Sequence, residues 1–364
     1  MIMIVIGTRP EFVKMASVVD ACQRLAVDHE IVFAAQHYDW EMSEQFLKEL
    51  DLPRPDHRLK VGSGTQAVQT GKAMIGLEKV IREDRPSAVA VQGDTNTVLA
   101  GALAAVKLHV PVCHVEAGLR SHDLRMPEEH NRRLVDHVSS LLFAPTNEAA
   151  ENLRGERVWG DISVTGNTSI DACLKFMRKA VKRSCVLSKV RFEEFAVATF
   201  HRAENVDHAA TLRTFVKVLM RCPIPVVFPV HPRTMDRLSG DRLLAKLKVC
   251  RSVQLLPPVG YLDFLMLMKK CRLILTDSGG IQEEATAPNI RKPVLVLRRT
   301  TDRPESVQAG FSRLVGIENG ELILREIRSL LEDKIALRSK SPFGDGRAGD
   351  RVARVLKKTF PIRR

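Results

Sequence analysis

The strongest constraint on this chain is a rhythm. Short apolar runs that fit buried strands alternate with longer segments of helical period, and the series occurs twice. In the first half the runs are MIMIVIG, EIVFAA, AVAVQG, VPVCHVE and LLFAP; in the second they are FAVATF, PVVFPV, VQLLP, RLILT and PVLVL. Between them lie segments such as TNTVLAGALAAVKL, HAATLRTFVKVLM and YLDFLMLMKKC, with apolar residues at three- and four-residue spacing. Strands apolar on both faces need helices on both sides, so the rhythm predicts an α/β protein with parallel sheets. Two series predict two Rossmann-like, doubly wound domains facing a cleft, with ligands at the C-terminal ends of the strands. The expected partition is 1–168 for the first domain, closed by a C-terminal helix over 350–364, and 169–349 for the second. The stretch KSPFGDGRAGD, 340–350, reads as the loop that returns the chain to the first domain.

Composition removes several function classes. The chain of 364 residues is long enough for two cores, and 45% of it is hydrophobic. No apolar run approaches the roughly 20 residues needed to span a bilayer, and the first residues read as a strand rather than a leader. A soluble, cytoplasmic protein without a membrane partner is expected. The seven cysteines (Cys22, Cys113, Cys173, Cys185, Cys222, Cys250 and Cys271) are scattered, with no CxxC or Cys/His spacing for a metal. They read as reduced thiols, most of them filling cores. The formal net charge is +13, but only 5% of residues are aromatic and no basic stretch is interleaved with them as base stacking requires. The basic tail RAGDRVARVLKKTFPIRR carries Val352, Val355, Leu356 and Phe360 at helical spacing. It reads as an amphipathic closing helix, and no nucleic-acid partner is expected.

Ionisable residues gather where the strands end. The first half offers GTRPEFVK, QGDT and HVEAGLR, followed by MPEEHNRR; the second offers FHRAEN, PVHP, DSGG and TTDRPE. In TDSGGIQEEA, 276–285, two glycines sit between a strand and a helix, where backbone N–H groups suit a phosphate. Yet no P-loop lysine follows, and no GxGxxG occurs at the strand-to-helix turns. The residues by themselves point to a two-domain α/β enzyme for a phosphorylated compound.

Taken in order and at these intervals, GTRPE, GDT, HVEAGLRS, MPEEHNR, HRAEN, TDSGGIQEEA and TTDRPE resemble the non-hydrolysing UDP-N-acetylglucosamine 2-epimerase family, over about residues 6–316. The resemblance implies the GT-B architecture, a homodimer, and interconversion of UDP-GlcNAc and UDP-ManNAc without a nicotinamide cofactor or a metal. It implies that Ser278, Gly279 and Gly280 receive the UDP diphosphate, that Glu284 holds the ribose hydroxyls, and that Phe264 lies near uracil. Arg9, Lys14 and Arg303 are implied near UDP, where bidentate guanidinium groups suit phosphate oxygens. Asp94, Glu116, Glu128 and His201 match the catalytic positions. The implied route eliminates UDP to a 2-acetamidoglucal and adds it back with C2 inverted, which needs a base at C2 and an acid on the other face. Clustered carboxylates repel, so at least one is expected to hold its proton more tightly than usual.

Plainer roles exist for single residues: a helix cap for Asp94, a helix-dipole partner for Glu128, a core histidine for His201, core packing for Phe264. The dipole role is the expectation for Glu283. The chain also departs from the family pattern. Ala203 replaces an arginine that many bacterial relatives link to a second, activating UDP-GlcNAc; in the same region Gln36 and His37 match, while Asp39 replaces a polar amide. Val259 stands where glutamine is frequent, and the ATAPNIRKP loop is longer than usual. The competing readings are a same-family epimerase of UDP-2,3-diacetamido-glucuronic acid, a hydrolysing epimerase, and a GT-B glycosyltransferase.

Overall fold

The computed structural model describes residues 1–35, 40–240, 242–332 and 340–361. The chain divides into two compact units, Met1–Ala172 with Phe343–Arg364, and Cys173–Pro342.

The first unit contains seven parallel strands: β1 (Ile2–Ile6), β2 (His29–Ala35), β3 (His57–Lys60), β4 (Ala88–Gln92), β5 (Val112–Val115), β6 (Leu141–Ala144) and β7 (Asp161–Val164). Their order across the sheet is β3-β2-β1-β4-β5-β6-β7. The second holds six: β8 (Ala196–Thr199), β9 (Val226–Pro229), β10 (Val253–Leu256), β11 (Leu273–Thr276), β12 (Val294–Val296) and β13 (Ser312–Leu314), in the order β10-β9-β8-β11-β12-β13. Every pairing is parallel. In each sheet the winding reverses once, between β1 and β4 and between β8 and β11. Neighbouring connections part at such a reversal and leave room for a ligand beyond the strand ends.

Threonines begin four helices of the first unit. Thr8, Thr65, Thr95 and Thr146 accept from the backbone N–H three residues on, at Glu11, Val68, Val98 and Ala149. The helix Pro127–Val138 instead starts on proline, whose missing N–H costs nothing there. Second-unit helices that begin after Arg202, Gly260, Ser278 and Arg303 have no side-chain cap. The core of that unit is aromatic at its centre: Phe200 stacks on Phe215 with ring centroids 4.0 Å apart, and Phe228 meets Phe215 edge-on.

The closing helix Ala348–Thr359 belongs to the first unit. It lies on the first helix, Arg9–Arg24, where a Cβ at Gly349 would come within 2.5 Å of the Ser17 backbone. Arg24 pairs with Asp350, and Lys357 donates to the Leu25 carbonyl (2.7 Å). Buried Asp171 accepts from the Ala348 and Gly349 N–H groups (3.2 and 2.9 Å), satisfying donors that the helix start leaves open. Among the described residues no helix is long and apolar enough to cross a membrane. All seven cysteines are free thiols, five of them buried.

Candidate active site

In the first unit the candidate residues follow β1, β4 and β5, strands that are neighbours across the sheet. Asp94 lies in the turn after β4. The cap of the next helix is Thr95, which leaves the Asp94 carboxylate to Arg132 (Nη2 2.6 Å, Nε 3.2 Å). Asn131 donates to the Asp94 carbonyl (2.9 Å), and Arg132 is steadied by Glu129 at 3.1 Å. Glu116 directly follows β5 with φ +70°, a left-handed backbone that a residue with a Cβ adopts at a cost. Lys14 reaches both its carboxylate oxygens (2.9 and 2.8 Å), and Gln92 donates to the second. Lys14 therefore sits with the carboxylate group. Arg9 is half-buried, its guanidinium 5.9 Å from the Phe46 ring centroid, and makes no ion pair among the described residues.

Glu128 and Glu129 are adjacent yet differ entirely. Glu129 is fully buried; burial opposes its ionisation, but the Ser121 N–H and hydroxyl, Arg132 and Arg133 outweigh this and hold its carboxyl below the usual range. Glu128, in the first turn of Pro127–Val138, is half-buried and has no hydrogen bond or ion pair among the described residues. One helical turn on, Arg132 grips Asp94, so this helix brings the Glu128 end of the chain to the Asp94 turn. Beside Asp94, the carboxyl whose proton is held more tightly than usual is Glu11 of GTRPE. Burial chiefly, with the nearby Asp94 charge, pushes it up to about 7 against the hydrogen bonds from Gly7 N–H, Thr95 and Thr8.

In the second unit His201 follows β8, Phe264 follows β10, Ser278 to Glu284 follow β11 and Arg303 follows β12. Asp277, buried at the end of β11, accepts from the His201 and Arg202 N–H groups (3.1 and 2.9 Å) and from Asn205 (3.1 Å). Its carboxylate lies 3.2 Å from His201 Nδ1, which orients the imidazole. His201 is partly exposed rather than a core histidine. The Ser278 hydroxyl is not spent as a cap. A Cβ at Gly279 would lie 3.2 Å from Asp302 Oδ1, whereas at Gly280 it would meet nothing within 4 Å among the described residues. Gly279 thus answers to the fold. Gly280 has no such internal reason.

Glu284 is half-buried and accepts from the Tyr261 hydroxyl (3.2 Å). Glu283 departs from the dipole role expected of it: it is fully buried and takes Arg303 Nε, while Arg303 Nη1 lies 2.9 Å from Asp302. Arg303 is therefore an ion-paired, buried guanidinium at the Gly279 turn. Phe264 is half-buried, unlike its neighbours Leu262 and Leu265, and lies outside the aromatic core. Gln36, His37 and Asp39 fall outside the described residues.

Residues 20–357 match the family model described as UDP-N-acetylglucosamine 2-epimerase. A UDP-N-acetylglucosamine 2-epimerase of Methanocaldococcus jannaschii is 45% identical over 97% of this chain and 98% of its own length. The chain belongs to the UDP-N-acetylglucosamine 2-epimerase family. A Pseudomonas aeruginosa relative, 40% identical over 98% of this chain and 99% of its own, is a UDP-2,3-diacetamido-2,3-dideoxy-D-glucuronate 2-epimerase. The M. jannaschii crystal structure in complex with UDP-GlcNAc and UDP superposes with a TM-score of 0.91, at 44% identity, covering 98% of this chain and 99% of that one. The two Rossmann-like units are those of the GT-B fold of these epimerases.

Several partners in the site went unremarked in the motifs: Gln92, Arg132, Asp277 and Tyr261, along with Glu11. All but Tyr261 stand inside the motifs QGDT, MPEEHNRR, TDSGGIQEEA and GTRPEFVK, and their place at the strand ends is the available signal. One group could hold a metal ion, Glu30, His57 and Asp84, with ligand atoms within 4.8 Å of one another. It lies at the N-terminal ends of β2 and β3, the opposite end of the sheet from the candidates.

Proposed function

We propose that this chain interconverts UDP-N-acetylglucosamine and UDP-N-acetylmannosamine by eliminating UDP and adding it back. The C2 proton is next to no carbonyl, so its removal must be coupled to loss of a leaving group. A carboxylate takes the proton as the C1–O bond breaks, the electron pair departs with UDP, and a C1=C2 double bond forms. UDP then returns to C1 while a proton reaches C2 from the opposite face. The first unit supplies the acid–base groups, Asp94, Glu116 and Glu128. The second supplies His201, the remaining catalytic candidate, and the nucleotide groups Ser278, Gly279, Gly280 and Glu284, with Arg303 and Phe264.

The observation that carries this reading is the state of the carboxylates. Asp94 and Glu116 are each held in place by a cation, while Glu128, one turn before the Arg132 that grips Asp94, has no hydrogen bond or ion pair among the described residues, as a group awaiting a proton from elsewhere would. Arg9, which makes no ion pair among the described residues, is the cation that the family resemblance puts near UDP; in the second unit the hydroxyl of Ser278 and the open space at Gly280 suit a diphosphate. Glu284, half-buried one turn along the helix that begins after Ser278, accepts from the Tyr261 hydroxyl, and a carboxylate is the kind of acceptor that ribose hydroxyls need. The products would serve synthesis of surface polysaccharide or other glycans.

Incubation in D₂O tests the proposal. Proton NMR should show UDP-GlcNAc and a new UDP-ManNAc both gaining deuterium at C2, with traces of UDP and 2-acetamidoglucal. Turnover without C2 deuterium would sink the elimination. The Pseudomonas relative gives a second substrate a specific claim, so UDP-2,3-diacetamido-glucuronic acid belongs in a parallel tube. Faster turnover of that sugar would move the assignment to it.

A further inference from the structure

We propose that His114 donates hydrogen bonds from both ring nitrogens and, as that doubly protonated ring, positions the Asp94 carboxylate. The inference rests on the reading of Asp94 as an acid–base group. His114 lies on β5, wholly buried, one strand over from the Asp94 turn. Its Nδ1 is 2.7 Å from Asp136 Oδ1, and its Nε2 is 2.8 Å from the Gly93 carbonyl oxygen. Neither a carboxylate nor a carbonyl has a proton to give. A neutral ring carries one N–H, so either tautomer would press a nitrogen lone pair against an oxygen lone pair at hydrogen-bond distance. A ring with both N–H groups satisfies both contacts.

The charges around the ring agree. Asp136, on the helix Pro127–Val138, is fully buried and also pairs with Arg120 (2.8 Å), and Arg120 pairs with Glu156 (2.6 Å). Arg133 approaches Glu156 from the rim at 3.9 Å. Asp136 thus meets Arg120 on one oxygen and the ring on the other, an arrangement that keeps it an ionised acceptor with no proton to give. Burial opposes ionisation of Asp136, but His114 and Arg120 outweigh it and keep its carboxyl below the usual range.

The link to Asp94 is one peptide plane. Gly93, at φ +82°, donates its N–H to the Val115 carbonyl (3.1 Å) while its own carbonyl meets His114. That carbonyl and the Asp94 N–H belong to the same planar peptide, which also carries the Asp94 Cα, so fixing the carbonyl fixes the point from which the Asp94 side chain starts. Arg132 then holds its far end. His114 touches no reacting atom and is a positioning residue.

Two measurements test this. In protein carrying ¹⁵N-histidine, the His114 ring at pH 7.5 should show both nitrogens protonated; a single N–H would overturn the proposal. The amide of His114→Asn imitates Nδ1 and that of His114→Gln imitates Nε2. His114→Asn, which loses the Gly93 contact, should lower kcat about tenfold or more with KM within about twofold, since misplacing a catalytic group costs rate rather than binding. His114→Gln should retain more of kcat. Equal kcat in wild type and His114→Asn, with Asp94→Asn inactive, would overturn the positioning role. Full activity of Asp94→Asn would instead remove Asp94 from the mechanism while the ring measurement stood.

Discussion

Glu11 shows how a residue outside the acid–base list can set the pH response of the whole chain. Its carboxyl is raised from 4.5 to about 7, chiefly by burial, so the folded protein favours the protonated form. That contribution to stability is complete below about 4.5 and is lost as the pH climbs through 7. Between pH 4.5 and 8 wild type should lose on the order of 3 kcal/mol relative to Glu11→Gln, whose amide keeps the shape and cannot ionise. Urea unfolding of both proteins at the two pH values reads the difference, and parallel pH curves would contradict it. Arg303 makes a second case. Because Glu283 and Asp302 are buried against it, Arg303→Ala should cost about 3–5 kcal/mol of stability in addition to any loss of UDP affinity. Arg303→Met with Glu283→Gln removes the stranded charge and should recover much of the melting temperature without recovering UDP binding in calorimetry. Recovery of both would mean that Arg303 only holds the fold.

At the scale of elements, the short helix Gly279–Glu284 divides its two glycines between fold and ligand. Gly280→Ala meets no internal neighbour and gains up to about 1 kcal/mol of helix propensity, so its melting temperature should hold or rise slightly. UDP affinity should fall, because the new methyl occupies the approach to the backbone. Gly279→Ala, tight against Asp302, should lower stability instead, and equal UDP affinity in Gly280→Ala and wild type would remove the diphosphate from this turn. Elements also differ in how plainly the sequence announces them. Central strands such as β1, β4 and β11 are buried at every position, and a buried strand is a continuous apolar run. The edge strands β3, β7 and β13 went unremarked because they pack on one neighbour only and keep exposed positions, so HRLK, DISV and SRL carry no such run. The site divides likewise. Motif residues at strand ends were legible from spacing, whereas Arg132 meets Asp94 from 38 positions away and Tyr261 meets Glu284 from 23, pairings that only the winding of the sheets creates.

At the scale of the molecule, the first unit is built from both ends of the chain. Removing the chain after Pro342 should strip the first helix of its partner, leave Asp171 without the two N–H groups it accepts from, and lower the melting temperature sharply. Hydrogen exchange on the truncated chain should show protection lost in the first sheet and retained in β8–β13; uniform loss would refute the division. The chain leaves the first unit and re-enters it at one place, where the Asn167 N–H donates to the Phe343 carbonyl (2.8 Å). This arrangement reverses the usual order of events on the ribosome, where domains form as units from the N-terminus onward. Cys173–Pro342 is continuous and can close as soon as it emerges. The earlier part of the first unit, Met1–Ala172, must wait, its first helix uncovered, until Ala348–Thr359 has been made.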